Sequence, residues 1–155
     1  MRKWVELAAL CEKAMEPDRK IDAAMAKALG LVPSGLTPGT SRGYEARFSN
    51  STVWIWDAPY YTASLNAITA LIERELPGWA WKVGTCSVSD DAWLTPDFNC
   101  PMHGDRLKRE LGYDRMKPGD LLDVGIDIEL RPSGRAALAL CAAFCRAMNE
   151  KEANA

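Results

Sequence analysis

Three acidic side chains alternate with apolar ones along a single segment of the sequence. Residues 122–130 carry Leu, Val, Ile, Ile and Leu at every second position, and Asp123, Asp127 and Glu129 lie between them. Because successive side chains of a strand point to opposite faces, the acids share one face, with the Cα atoms of Asp127 and Glu129 about 7 Å apart. This pair could hold a divalent cation or carry out acid–base catalysis. The same alternation is also typical of a sheet with one solvated face.

A second candidate cluster combines cysteine with the only histidine of the chain. His103 follows Cys100 by three residues, and Cys86 would supply a third zinc ligand, but no fourth ligand is evident from the spacing. A Cys–His nucleophile for hydrolysis is the other chemistry that these residue types allow. The interpretation we favour has no metal, no cofactor and no catalytic residue. A small hydrolase or metal-dependent enzyme using Asp127/Glu129 or Cys100/His103 is the alternative.

A third set of residues suits a nucleotide. Thr40, Ser41 and Arg42 offer two hydroxyls and a guanidinium in a glycine-rich loop, which fits a phosphate group. Tyr60 and Tyr61 lie just before a predicted helix and could stack on a base. The loop precedes a strand and not a helix, so it matches neither a Walker loop nor a Rossmann fingerprint. We predict these five residues as a ligand-binding set.

The composition is that of an ordinary folded chain of 155 residues, 48% apolar and 26% charged. A net charge of −2 predicts no extensive nucleic-acid surface. The five cysteines are an odd number without the dense spacing of a disulfide scaffold, which favours a cytoplasmic location. The longest apolar run, at 136–145, is about half of the roughly 20 residues that cross a bilayer. No membrane partner is therefore expected.

The elements that must position these residues form one predicted domain, 1–155. A helical hairpin occupies 1–30, and a sheet with its covering helices occupies 44–149. Within that part, a return strand is predicted near 86–88 and an irregular excursion at 89–120, where prolines and glycines are frequent. The predicted fold class is an α/β (α+β) sandwich, with a mainly antiparallel sheet of about four to five strands packed by about four helices.

Two surfaces of this fold are predicted to bind partners. The excursion carries basic residues, which could bind a partner protein or pair with the acids of the strand at 122–130. These basic residues are Arg106, Lys108, Arg109 and Arg115, with Lys117 also available for pairing. The apolar face of the N-terminal hairpin is rich in alanine and small, which favours a homo-oligomer.

Three further segments carry a family resemblance. Residues 18–30 read DRKIDAAMAKALG, residues 59–68 read PYYTASLNAI and are followed by PGWAWKV at 77–83, and residues 136–147 read AALALCAAFCRA. Together they resemble small phage and prophage proteins of the phage αβα-sandwich-domain family. The resemblance implies a sheet with helices on both faces and a viral origin, and it implies no catalytic residue.

The function we expect combines this resemblance with the residue patterns. The chain is expected to be a phage-encoded, non-enzymatic accessory protein that opposes host defence in the bacterial cytoplasm. It would bind a host defence protein or sequester a small cyclic nucleotide. A structural or assembly accessory role in the phage is a further alternative to the hydrolase.

Overall fold

The chain folds into five described α-helices and two small antiparallel sheets, an α+β arrangement. A computed structural model describes residues 2–31, 37–38, 43–48, 51–115, 117 and 125–153. The helices are α1 (Arg2–Lys13), α2 (Arg19–Ala28), α3 (Leu65–Glu75), α4 (Gly104–Glu110) and α5 (Ala136–Ala153), with a 3-10 turn at Tyr113–Arg115. The strands are β1 (Thr37–Pro38), β2 (Gly43–Phe48), β3 (Ser51–Asp57), β4 (Trp79–Thr85), β5 (Asp90–Pro96) and β6 (Ile126–Leu130).

Helix α5 lies at the centre of the fold. Its small side chains, mostly alanine and cysteine, are buried along nearly the whole helix, and a helix that is apolar on every side must be covered on every side. The sheet face of β5 and β6 packs on one side of α5, and α1 and α3 pack on it elsewhere. The Trp4 and Phe144 rings join α1 to α5 edge to face, with centroids 5.9 Å apart. The predicted close packing of the last helix on the sheet is confirmed.

The strands divide into two sheets of three, ordered β1–β2–β3 and β4–β5–β6. The antiparallel pairing that we predicted is confirmed, but a single sheet of four to five strands is wrong for the described residues. The strands of the early hairpin, β2 and β3, pair with each other and with β1, and they do not pair with β4, β5 or β6.

The predicted sandwich is also not what the described residues form. Only one face of β6 is apolar, since Ile126, Ile128 and Leu130 are buried while Asp127 and Glu129 are exposed. That apolar face lies against α5. The helices therefore gather on one side of the β4–β5–β6 sheet, because its opposite face offers charged side chains that a covering helix could not bury without cost.

Strand β5 lies inside the segment that we predicted to be irregular. Residues 86–88 form the turn before it and not the return strand, and the Cys86 N–H donates to the Ser89 carbonyl at 3.0 Å. Buried and more exposed side chains alternate along the whole of β5. The buried positions begin with Asp90 and end with Pro96, while Trp93 is exposed. Acidic side chains are usually exposed and tryptophan is usually buried, and β5 has the reverse. The alternation of apolar and polar residues therefore does not predict this strand.

The predicted N-terminal helical hairpin is present as α1 and α2. Asp18 caps α2, its carboxylate accepting from the Lys20 N–H at 2.8 Å, and Gly30 follows the helix with φ +70°. Buried side chains of all five helices and of β4, β5 and β6 belong to one hydrophobic core. None of the helices that the structure describes is both long enough and apolar enough to cross a membrane.

Candidate functional site

The buried side chain of Arg135 organises the corner where α1, α5 and β6 meet. Arg135 precedes α5 and is 4% exposed. Its guanidinium donates to the carbonyls of Ala14 (2.9 Å from Nε), Glu12 (2.6 Å from Nη2) and Arg131 (2.8 Å from Nη1). Carbonyls at the end of a helix lack partners within it and carry partial negative charge. The end of α1 thus stabilises this buried cation.

The sheet is attached to the same corner through Asp90. This residue of β5 is 1% exposed, and its carboxylate accepts the backbone N–H of Arg135. A negative charge at a helix N-terminus is favourable because it meets the positive end of the helix dipole. Asp90 and Arg135 together fix how the sheet, α5 and α1 stand relative to one another.

The fixed corner leaves an open groove of about 650 Å³ beside β6. Residues 125–131 form one wall, and Glu12, Arg135 and Arg146 form the other. The Arg146 guanidinium donates from Nε to the Glu12 carboxylate at 2.9 Å, which joins α5 to α1 across this second wall. The groove therefore has a strand on one side and an ion pair between two helices on the other.

The strand side of the groove is a sheet edge. Among the described residues, β6 pairs with β5 and with no other strand. In an antiparallel ladder, alternate residues use their N–H and C=O groups toward the neighbour, and the residues between them direct theirs to the other side. These groups of β6 can therefore pair with an added strand.

The acids of β6 lie on the solvated face of the sheet. Asp127 stands opposite Trp93 and Glu129 opposite Asp91 in the antiparallel register. The Glu129 carboxylate accepts from Arg131 Nε at 2.8 Å, and both side chains are exposed. No group of three His, Cys, Asp or Glu residues suited to a metal occurs in the described part of the chain, and Asp123 lies outside it. The described acids therefore belong to the charged, solvated face of the sheet.

Arg106 and Glu129 do not pair with each other, which was one of the pairings that we predicted between the basic residues of the excursion and these acids. Arg106 pairs with Glu110 at 2.8 Å and also donates to the Pro77 carbonyl at 2.7 Å. Arg106 has its partner Glu110 one turn along α4, and Glu129 has its partner Arg131 two residues along the chain. The predicted pairing between Arg106 and Glu129 therefore fails. The other predicted partner-binding residues stay near α4: Lys108 lies 5.3 Å from the Tyr113 ring, Arg109 is exposed on the helix, and Arg115 lies beside Gly112.

Cys86, Cys100 and His103 do not converge. Cys86 precedes β5 and Cys100 follows it, so the seven residues of β5 separate them by roughly 20 Å. His103 packs against Gly78, where an added Cβ would lie 2.6 Å from the His103 Cβ. The Ser89 hydroxyl and neighbouring backbone N–H groups lower the pKa of the exposed Cys86 thiol. The three side chains are not arranged as a zinc site or a Cys–His pair.

The predicted ligand-binding tyrosines have different environments. The Tyr60 ring is 57% exposed, with the Arg19 guanidinium 3.8 Å from its centroid. Tyr61 is 3% exposed, and burial raises the pKa of its hydroxyl. Of this pair, Tyr60 alone presents a substantial ring surface to solvent. The other three residues of the predicted set, Thr40, Ser41 and Arg42, lie outside the described residues.

A buried polar network beneath Tyr60 was not predicted from the sequence. Asp22, fully buried in α2, accepts from Arg19 Nη1 at 2.7 Å and from the Thr62 N–H at 2.8 Å. The Thr62 hydroxyl accepts in turn from the Asp18 N–H at 2.9 Å. Burial raises the pKa of Asp22, opposed by the bonds from Thr62 and Arg19. The only sequence signal was a charged residue next to the apolar stripe of α2.

This network joins two of the segments that carry the family resemblance. Asp18, Arg19 and Asp22 belong to the first segment, and Tyr60 and Thr62 belong to the second. These contacts bring the two segments together in the fold. No protein-family model, curated protein or solved structure matches the chain. The resemblance therefore rests on the sequence segments themselves.

Proposed function

We propose that this chain is a protein-binding module that takes an extended segment of its partner into the groove beside β6. The segment would pair with β6 and become the fourth strand of the β4–β5–β6 sheet. The observation that carries this proposal is the free edge of β6 facing an open groove of about 650 Å³, within the described part of the chain. The Arg146–Glu12 pair bounds the groove on the other side.

Charges on β6 define the chemistry of the segment. Side chains of an added strand that point to the solvated face would stand beside Asp127 and Glu129, where opposite charges in cross-strand pairs stabilise the sheet. Its other side chains would point to the face that carries Ile126, Ile128 and Leu130. The favoured segment therefore alternates basic and apolar residues over about five positions, the length of β6.

The resemblance to phage proteins supplies the biological setting of the proposal. A phage accessory protein acting in the bacterial cytoplasm would use the groove to occupy a strand-forming segment of a host defence protein. Blocking such a segment needs no chemical step, which is consistent with a non-enzymatic role.

A peptide-display selection tests the proposed function. Random extended peptides are selected against the wild-type chain and, in parallel, against the Asp127→Lys, Glu129→Lys double variant. Both side chains are exposed, so the variant should keep the fold. We expect alternating basic–apolar peptides from the wild type and alternating acidic–apolar peptides from the variant. The same enriched peptides from both, or none from either, would exclude the groove as the binding site.

A nucleotide ligand at Tyr60 is the second candidate, because its 57% exposed ring offers a face on which a base could stack. Thermal denaturation with a panel of cyclic mono- and dinucleotides tests it. The control is Trp81→Ala, which removes another partly exposed aromatic ring, 39% exposed on β4. A ligand that stabilises the wild type and Trp81→Ala but not Tyr60→Ala would support this site. Release of the ligand unchanged after denaturation would indicate sequestration, whereas release of product would indicate the alternative hydrolase. Stabilisation by none of the nucleotides would exclude this candidate.

A further inference from the structure

A tryptophan lies at the centre of the solvated face of the β4–β5–β6 sheet. Trp93 belongs to the middle strand, is 37% exposed, and stands opposite Lys82 of β4 and Asp127 of β6. Side chains directly opposite one another in antiparallel strands lie on one face of the sheet, so these three form a row across it. Tryptophan is highly buried on average. The ring of Trp93 instead offers stacking surface on the face of the sheet away from α5.

The indole of Trp93 extends toward the edge strand β6. A Cβ added at Gly125, the residue before β6, would lie 3.9 Å from Trp93 Nε1 and 3.4 Å from Thr95 Oγ1. The indole therefore lies within contact distance of this strand, and Gly125 has no side chain to stand between them. Because an added strand would run only about 4.8 Å beyond β6, a long side chain on its solvated face can reach the Trp93 ring.

Asp127 gives the same part of the sheet a negative charge. Among the described residues, Glu129 has an ion-pair partner in Arg131 at 2.8 Å, and Asp127 has none. A cation on the added strand beside Asp127 would therefore displace no existing partner. Lys82 Nζ lies 5.6 Å from the centroid of the Trp93 ring, so a cation already stands near this ring on the β4 side. A second cation would approach from the β6 side, where the Asp127 carboxylate offsets its charge.

We propose that Trp93 selects an arginine, in preference to a lysine, at the position of the partner segment beside Asp127. This inference rests on the proposed function, because it assumes that the segment pairs with β6. A guanidinium is planar, so it can lie against the indole ring and donate two hydrogen bonds to the Asp127 carboxylate at the same time. A lysine ammonium is a compact, strongly hydrated charge without a flat surface. The edge of β6 thus provides the binding, and Trp93 provides the choice of basic residue.

Synthetic peptides test the proposal, with dissociation constants measured by titration calorimetry on the full chain. We expect a peptide of alternating valine and arginine to bind about tenfold more tightly than one of alternating valine and lysine. Trp93→Leu should abolish most of this preference. Trp81→Leu is the matched control: Trp81 is 39% exposed on β4 but stands opposite Leu94, on the other face of the sheet, so the preference should persist. Equal melting temperatures of the three proteins would show that the fold is unchanged.

A second variant and a peptide scan separate the possible results. Trp93→Phe keeps a smaller aromatic ring and should keep part of the preference, so the test does not depend on Trp93→Leu alone. Changing one arginine of the peptide at a time to lysine should weaken binding mainly at one position. Equal binding of the two peptides, or a preference that both Trp93 variants leave unchanged, would overturn this inference while the proposed function stands. Binding of neither peptide would overturn the proposed function and this inference with it.

Discussion

The carboxylate of Asp90 accepts a hydrogen bond from the backbone N–H of Arg135. This bond joins the middle strand of the β4–β5–β6 sheet to the start of the central helix. The Arg135 side chain then reaches the carbonyls of Glu12 and Ala14, at the end of α1. Because these contacts meet at one point, the distance between β6 and the helical wall of its groove depends on both residues.

Replacing Asp90 with alanine should destabilise the fold. The change removes a buried acceptor from the N-terminus of α5, and we expect the free energy of unfolding to fall by about 1–3 kcal/mol. Asp91→Ala is the matched control, because Asp91 is exposed on the opposite face of β5 and should change stability by no more than about 0.5 kcal/mol. Urea denaturation measures both values. Equal effects of the two substitutions would contradict the structural role of Asp90.

The Arg19–Asp22 pair should show strong energetic coupling. Its side chains are 19% and 1% exposed, and leaving either charge without the other is costly in a buried site. A double-mutant cycle with Arg19→Met and Asp22→Asn should give a coupling energy of about 0.5–3 kcal/mol. The exposed Arg131–Glu129 pair is the comparison, and its coupling energy should be the smaller of the two because solvent screens exposed charges. A cycle in which the buried pair is additive would rule out the predicted coupling.

Glu150 should make stability depend on pH. Burial raises the pKa of this carboxyl group from its ordinary 4.5 to about 7. The folded state then holds this proton more tightly than the unfolded state. The contribution of Glu150 to stability is therefore greatest below about pH 4.5 and is lost as the pH rises toward 7. Urea denaturation should therefore show a larger loss between about pH 5 and pH 8 for the wild type than for Glu150→Gln. Identical losses in both proteins would contradict this assignment.

The elements that the sequence predicts well are those with one dominant period. β6 alternates apolar and acidic residues, and α5 carries small apolar residues through several turns, so each element follows from its own pattern. β5 does not, because its buried face includes Asp90, whose hydrogen-bond partner Arg135 lies 45 residues away. A contact made across the fold therefore reversed the local preference.

The candidate site was predictable only in part. The acidic face of β6 could be read from the sequence, but the edge position of this strand depends on which strands pair, and alternation does not determine pairing. The same holds for Asp22, whose partner Thr62 is 40 residues away. The basic residues were assigned to the acids by charge alone, and the structure shows that Arg106 and Glu129 pair locally.

The central claim is that an extended segment pairs with the edge of β6 that no described strand occupies. The most direct measurement is amide hydrogen exchange of the full chain, followed by NMR, with and without a synthetic peptide of alternating valine and lysine. We expect slower exchange at alternate residues of β6, with contacts between peptide and β6 backbone protons, and neither effect with an alternating valine–glutamate peptide. Unchanged exchange along β6 with the valine–lysine peptide bound, or protection confined to other elements, would contradict the claim.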